Sequence, residues 1–247
     1  PKYPRTQVYI DYYLPKENQA VQLEIFNDKM ESLITIVSDS SLIKSTTTEI
    51  EDMNLSANFR YVNKKLHTKK GLNRFGWDLR TRGPWSTNKN RRYRNGPVVA
   101  PGTYSAKLIV GDEILMQNFE ILLDPRMKEE GINKEIIEEQ QEMQIKIMAL
   151  LSEARLFQEQ LENEIKNLHR QKSKRSKRRM SQLNEVLNQL KNNSGAYPKQ
   201  RLLSQISYIY NMVNGTDQIL GKDLRDRYRE LRVEFDALTK DLEESFN

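Results

Sequence analysis

The sequence contains no cysteine, which excludes disulfide bonds, thiolate metal sites and cysteine nucleophiles. Histidine is almost as scarce: only His67 and His169 occur, and their polar, lysine-rich surroundings predict exposed side chains rather than metal ligands or general bases. Phosphate-binding glycine loops, His-Glu metal motifs and serine nucleophile elbows are also missing. We therefore expect no catalytic residue, cofactor or metal site in this chain.

Long apolar runs are absent as well, and no stretch approaches the roughly 18 residues that a membrane-spanning helix needs. The 247 residues are 37% hydrophobic and 30% charged, a balance that suits globular domains and long solvent-exposed helices. The chain opens on PKYPRTQVYI, without an initiator methionine or a signal-peptide pattern. We expect it to be a piece of a longer protein.

Apolar residues alternate with polar ones in short runs along the first 125 residues, and these runs are rich in β-branched and aromatic side chains. Turn signals separate them, and Gly111-Asp112 predicts a tight hairpin. About seven short strands predict an antiparallel β-sandwich of immunoglobulin or fibronectin type over 1–125, with loops at 40–58 and 81–97. The clearest strand candidates are 8–14, 20–27, 32–39, 73–79, 103–110 and 114–123.

From residue 126 the apolar period changes to about 3.6, which is typical of helices. An apolar stripe runs from Ile136 to Leu168, with Gln140 as its one polar position and Asn133 as the expected N-cap. Asp124-Pro125 marks the boundary, because the residue before a proline disfavours helix. We predict an up-down helical bundle over 126–247, with helices at roughly 133–169, 176–191, 198–213 and 217–246.

The run RQKSKRSKRR places seven cationic side chains in residues 170–179, between two helical stripes. An antiparallel hairpin must turn there, so we favour a solvated turn in which Ser173 or Ser176 helps to form the connection. The alternative is a polyanion- or glycan-binding site, together with the second basic cluster at 89–94. Its residues would be Lys89, Arg91, Arg92, Arg94, Arg170, Lys172, Lys174, Arg175, Lys177, Arg178 and Arg179. No interleaved aromatic residues are present for base stacking, so nucleic acid is not an expected partner.

Two acidic residues and two tryptophans have specific contexts. Asp78 and Asp124 are expected to cap turns or to pair with Arg80 and Arg126, rather than to act as a catalytic pair. Trp77 alternates within a strand, which predicts a place in the core. Trp85 fits either a buried or an exposed, ring-stacking position.

Several stretches together resemble a family of large exported bacterial proteins. They are VYIDYYLP (8–15), VQLEIFND (21–28), GLNRFGWDLR (71–80) and GPVVAPGTYSAKLIVGDEILMQNFEILLDPRM (96–127). This series resembles the region after the β-propeller in sortilin-like or glycosyl-hydrolase-like BNR-repeat proteins of Bacteroidetes type. The tail AYPKQRLLSQISYIYNMVNGTDQ (196–218) is similar to the helical segment that closes many of those chains. The PGTY pattern also resembles the Ig-like domain of flagellar hook-capping proteins.

The resemblance implies an extracytoplasmic protein, either periplasmic, outer-membrane-associated or secreted, whose propeller lies upstream in the same polypeptide. Catalysis or ligand recognition would be expected in that propeller, so no family catalytic residue is carried onto this chain. The leading prediction is a non-catalytic C-terminal structural and protein-interaction module that braces the propeller or docks it to another envelope protein. The alternatives are the polyanion- or glycan-binding module and a part of a glycan-acting hydrolase whose active site lies upstream.

Overall fold

The computed structural model describes residues 7–38, 66–88, 91–171, 173–192, 199–215 and 219–244. The chain forms antiparallel β-sheets followed by helices, in the predicted order. It divides into two compact units. The sheet unit comprises Pro1–Gly83 and Tyr93–Ile137, and the helical unit comprises Pro84–Arg92 and Glu138–Asn247. The domain boundary at residue 125 stays a prediction, and the predicted loop at 40–58 lies outside the described residues.

Six strands form two antiparallel sheets in the sheet unit. One sheet pairs β1 with β4, and the other has the order β3-β2-β5-β6. All six clearest strand candidates are confirmed, and their ends move by at most two residues. The strands are β1 (Val8–Leu14), β2 (Val21–Phe26), β3 (Ser32–Val37), β4 (Gly71–Trp77), β5 (Gly102–Val110) and β6 (Glu113–Ile121).

The hairpin between β5 and β6 is as tight as the sequence predicts. Val110 pairs with Glu113, so only Gly111 and Asp112 form the loop. Gly111 has a φ of 59°, a left-handed conformation that glycine adopts without steric cost. A type II′ hairpin turn requires such a residue at its first central position.

One hydrophobic cluster collects side chains from both sheets. Trp77 of β4 is fully buried, which confirms its predicted place in the core. Its ring lies edge-on to Tyr104 of β5 and Phe119 of β6, with centroids 6.1 and 6.3 Å away. Its indole N–H donates a 3.0 Å hydrogen bond to the carbonyl oxygen of Arg80, so the buried ring keeps its polar atom satisfied.

The two ends of the predicted loop 81–97 are joined by backbone hydrogen bonds. The amide of Thr81 donates to the carbonyl oxygen of Pro97, and that of Gly83 donates to Tyr93, at 2.9 and 3.0 Å. A side chain at Gly83 would collide with the backbone of Arg94. Glycine therefore permits the close approach of the two segments.

The helices are α1 (Pro125–Glu129), α2 (Lys134–His169), α3 (Lys174–Leu190), α4 (Leu202–Val213) and α5 (Lys222–Glu244). The short α1 is not predicted from the sequence. The N-cap at Asn133 is confirmed, because its Oδ1 accepts the backbone N–H of Ile136 at 3.0 Å. The last two helices begin four and five residues later than predicted, and their proposed start signals at Pro198, Thr216 and Asp217 lie outside the described residues.

Helices α2 to α5 contribute to one hydrophobic cluster in the helical unit. The predicted apolar stripe of α2 supplies its fully buried Ile147, Leu150 and Ala154. Gln140, the polar position in that stripe, is also buried, and its side-chain amide donates to the carbonyl oxygen of Val213 at 3.1 Å. Among the described residues, no helix is both long and apolar enough to span a membrane.

Candidate functional site

The basic run 170–179 is divided between a short turn and the start of α3. Helix α2 ends at His169, and α3 begins at Lys174. Ser173 is the N-cap: its Oγ accepts the backbone N–H of Ser176 at 3.0 Å, and the Ser176 hydroxyl accepts the N–H of Ser173 at 2.9 Å. The turn is therefore shorter than predicted, because this capping box starts the helix two residues earlier.

Five cationic residues at this place are exposed, and we call them the basic turn: Arg170, Lys174, Arg175, Lys177 and Arg178. Lys172 lies outside the described residues. Arg179 differs from the others, since its side chain is largely buried and its Nε donates to Glu164 at 2.9 Å. It is a structural residue that links α3 to α2.

Acidic residues are missing from the sequence around the basic turn, with none between Ile165 and Asn184. The two acidic residues that precede this interval already pair with cations. Glu164 accepts from Arg179, and Glu162 accepts from Lys191 at 2.7 Å. The positive charge of the basic turn is therefore concentrated on one part of the helical unit.

In the described part of the second basic cluster, residues 91–94, one arginine packs within the helical unit. The guanidinium of Arg92 lies over the ring of Trp85, 4.7 Å from its centroid, and its Nε donates to the carbonyl oxygen of Ser86 at 2.9 Å. Arg91 and Arg94 are exposed, while Lys89 lies outside the described residues. Arg92 thus has a structural role.

Trp85 is buried in the helical unit, which resolves the two positions that the sequence left open. Its backbone N–H donates to the hydroxyl of Ser152 at 3.0 Å, and its carbonyl oxygen accepts from Arg155 at 3.0 Å. Both partners belong to α2. Its surroundings are therefore those of a packing residue, because Arg92 also covers its ring.

The expected capping role of Asp124 is confirmed. Its Oδ1 accepts the backbone N–H of Arg126 at 3.0 Å, and its Oδ2 accepts from the guanidinium of Arg126 at 2.6 Å. These hydrogen bonds from the Arg126 side chain and backbone lower the pKa of Asp124 from 3.8 to about 2. Asp78 is exposed.

The outer edge of the larger sheet exposes apolar side chains. Strand β6 pairs with β5 along its full length, and no described strand lies on its other side. Ile114, Leu115 and Met116 follow one another and are 61%, 62% and 49% exposed. Since neighbouring residues of a strand point to opposite faces, both faces are apolar here. We call Glu113–Ile121 the β6 edge.

A groove of about 460 Å³ lies between α4 and α5. Its lining is mostly apolar, and a hydrogen bond from Arg227 to Gln205 lies beside it. The apolar lining comes from Tyr208, Ile209, Met212 and Leu224. Nothing in the described residues indicates what would fill this groove.

Metal ligands are not grouped in the described part of the chain, where no three His, Asp or Glu side chains lie close enough to hold an ion. His67 and His169 are exposed, as the sequence predicts. The backbone carbonyl of His67 accepts the hydroxyl of Tyr12 at 2.6 Å. Burial raises the pKa of that tyrosine to about 12, although the hydrogen bond to His67 opposes the rise.

No family model, curated protein or solved structure matches this chain.

Proposed function

We propose that this chain is a non-catalytic protein-interaction module, made of an immunoglobulin-like β-sandwich and a helical bundle, whose β6 edge accepts a strand from a partner polypeptide. The β6 edge carries this proposal. It combines a row of backbone donors and acceptors that no described strand pairs with and apolar side chains on both faces.

The sandwich is supported by the single core that the two sheets share. The hydroxyl of Tyr104 also donates a 2.6 Å hydrogen bond to the carbonyl oxygen of Ala100, four residues upstream. A tyrosine near the start of a strand that bonds back in this way is the tyrosine corner of immunoglobulin-like sandwiches. The helical bundle is supported by the hydrophobic cluster to which α2 to α5 all contribute.

Edge strands normally carry features that prevent pairing with other chains, such as lysine, proline or a bulge. The β6 edge has the sequence EILMQNFEI, with Glu113 and Glu120 near its two ends but without lysine or proline, and its register with β5 is continuous. The opposite edge strand, β3, is shorter, and its ladder with β2 shifts register beside Ile25. Strand β6 is therefore the longer and more regular of the two edge strands of this sheet.

Antiparallel strands direct the N–H and C=O groups of alternate residues away from their partner. Every second residue of the β6 edge therefore offers these groups to an added strand. A partner strand with alternating apolar residues would satisfy them and cover the exposed side chains. These backbone groups and apolar side chains fit an extended polypeptide segment better than a small polar ligand.

The identity of the partner rests on the sequence resemblance. It points to an upstream β-propeller of the same polypeptide or to another envelope protein, in an extracytoplasmic compartment. The upstream propeller would carry any catalytic or ligand-binding activity.

Site-specific photo-crosslinking tests the β6 edge. A photoreactive residue at Met116 is compared with one at Leu72, an exposed residue of β4 in the other sheet. In envelope extract, we expect a discrete, stoichiometric adduct from position 116 only, with crosslinks to an extended segment of the partner. In a separate pull-down without photoreactive residues, Met116→Lys should abolish capture of the partner, and Leu72→Lys should leave it intact.

Equal crosslinking from both positions would contradict the proposal, since it would indicate nonspecific capture. Crosslinks at position 116 to a second copy of the chain would replace the external partner with self-association. Capture that survives Met116→Lys would place the interaction elsewhere.

A further inference from the structure

We propose that the basic turn binds the anionic phospholipid headgroups of a bilayer surface. This inference does not depend on the β6 edge, because its residues belong to the helical unit. It rests on the concentration of charge, on the way α3 is capped and on the arrangement of the cations around that helix.

No acidic residue adjoins the basic turn in the sequence. The sequence from Ile165 to Asn184 is free of acidic residues, and Glu162 and Glu164 already pair with cations. The five exposed side chains can therefore contact external anions. Each lysine or arginine near an anionic membrane surface adds attraction that corresponds to roughly a five-fold gain in affinity.

The start of α3 also places these cations where helix electrostatics disfavour them. The N-terminus of a helix carries a partial positive charge, so Lys174 and Arg175 oppose it. Ser176 occupies the N3 position, where glutamate or glutamine commonly completes a capping box. Serine satisfies the same backbone N–H without adding a negative charge, and the site stays wholly cationic.

The arrangement of the side chains favours a headgroup layer over a nucleic acid. At 100° per residue, Lys174, Arg175, Lys177 and Arg178 spread over an arc of about 160° around the helix. They face away from the buried Ser176 and Leu183. Side chains spread in this way can each meet a separate headgroup in a plane, whereas a single-stranded nucleic-acid site combines a cationic groove with aromatic residues for stacking. The sequence from 165 to 184 contains no Phe, Tyr or Trp.

Penetration into the lipid is not part of this proposal. Within the described residues between 165 and 190, no large hydrophobic side chain is exposed. The contact would be electrostatic and would lie in the headgroup layer, which predicts strong dependence on salt.

Vesicle co-sedimentation tests the inference with the full chain. The vesicles are made of phosphatidylcholine alone, or with about 30% phosphatidylglycerol to give an anionic surface. We expect binding only to the anionic vesicles, with loss of binding as salt rises from about 0.05 M to about 0.5 M. The test variant combines Lys174→Gln, Arg175→Gln, Lys177→Gln and Arg178→Gln, and we expect it to bind at least about 100-fold more weakly.

The matched control changes four exposed lysines of the sheet unit, through Lys16→Gln, Lys29→Gln, Lys69→Gln and Lys70→Gln. It alters the net charge equally and should bind nearly as wild type. Circular dichroism should show an unchanged helix content in both variants. Equal losses in the two variants would overturn the inference, because overall charge would then explain binding.

Binding of duplex DNA is measured in a second experiment. Tight DNA binding that depends on the basic turn, without vesicle binding, would replace the membrane surface with a polymer. Equal sedimentation with neutral and anionic vesicles would also overturn the proposal. Neither result would affect crosslinking at the β6 edge, so the two proposals fail independently.

Discussion

The side-chain amide of Gln144 donates a 2.8 Å hydrogen bond to the carbonyl oxygen of Val213, the last residue of α4. Gln140, one turn earlier in α2, donates to the same oxygen. The last carbonyls of a helix lack partners within it, and both glutamines are buried. The two amides thus satisfy a helix end inside the core and join α2 to α4.

Replacing these glutamines should give strongly non-additive losses of stability. Gln140→Leu or Gln144→Leu alone leaves the carbonyl one amide donor and should cost less than about 1.5 kcal/mol. The double variant removes both donors and should cost about 1–3 kcal/mol more than the sum. Urea unfolding of the four proteins forms the required double-mutant cycle. Additive losses would mean that the two hydrogen bonds act independently.

Tyr104→Phe should destabilise the sheet unit by about 0.5–1.5 kcal/mol, because it removes the hydrogen bond from the tyrosine hydroxyl to the carbonyl oxygen of Ala100. Hydrogen exchange of the β5 amides would measure this loss. Tyr13→Phe is the control, since that side chain is 66% exposed and its change should alter stability by less than about 0.5 kcal/mol. Similar effects from both substitutions would argue against a tyrosine corner.

Lys174→Glu should stabilise the protein by about 0.3–1 kcal/mol, since it places a negative charge at the positive end of α3 and relieves repulsion in the basic turn. Lys174→Gln should give a smaller gain. Thermal unfolding at low and high salt would measure both, and the gain should shrink as salt screens the charges. A loss of stability in the glutamate variant would show that Lys174 makes a favourable contact in the folded chain.

The capping of α1 should weaken in acid. The pKa of Asp124 is lowered in the folded chain from 3.8 to about 2, so its capping contribution is complete above about pH 4 and is lost as the pH falls towards 2. The carboxyl carbon resonance of Asp124 should titrate with a midpoint near the lower value. Arg126→Gln should raise that midpoint, because the arginine side chain is the largest cause of the shift.

Lys128→Gln is the control for this titration, as it keeps both the cap and Arg126. An unchanged midpoint in Arg126→Gln would mean that the backbone N–H alone lowers the pKa. A wild-type midpoint near 3.8 would mean that the cap is not formed in solution.

The strands could be predicted because local information determines them. Runs such as 8–14 and 103–110 combine β-branched or aromatic residues with alternation, and turn residues mark their ends. The alternation also places Trp77 in the core. The order of strands within each sheet was not predicted, because pairing depends on contacts between residues far apart in sequence, such as Val8 with Trp77.

The basic run shows where local reasoning loses accuracy. The sequence predicts that Ser173 or Ser176 helps to form the connection, but their reciprocal hydrogen bonds start α3 within the run. A dense series of like charges suggests a solvated turn, although lysine and arginine are good helix formers. The capping box decides between these tendencies.

Long-range polar contacts explain most of what the sequence could not reveal. Gln140 interrupts an apolar stripe, and nothing nearby in the sequence shows that a carbonyl of α4 would meet it. The β6 edge is similar, because its alternation predicts a strand but its exposure depends on which strands become its neighbours. The PGTY pattern at the start of β5 resembles an Ig-like domain, but the sequence does not reveal that the Tyr104 hydroxyl donates to the carbonyl oxygen of Ala100.

The position of Trp85 has a consequence for the order in which the chain can fold. Its backbone partners, Ser152 and Arg155, follow it by 67 and 70 residues. During synthesis the tryptophan emerges between two strands of the sheet unit, long before α2 is complete. The strands can therefore pair before the segment around Trp85 has formed its hydrogen bonds with α2. A fragment that begins at residue 126 would contain α2 to α5 but would lack Trp85, whose backbone is hydrogen-bonded to α2.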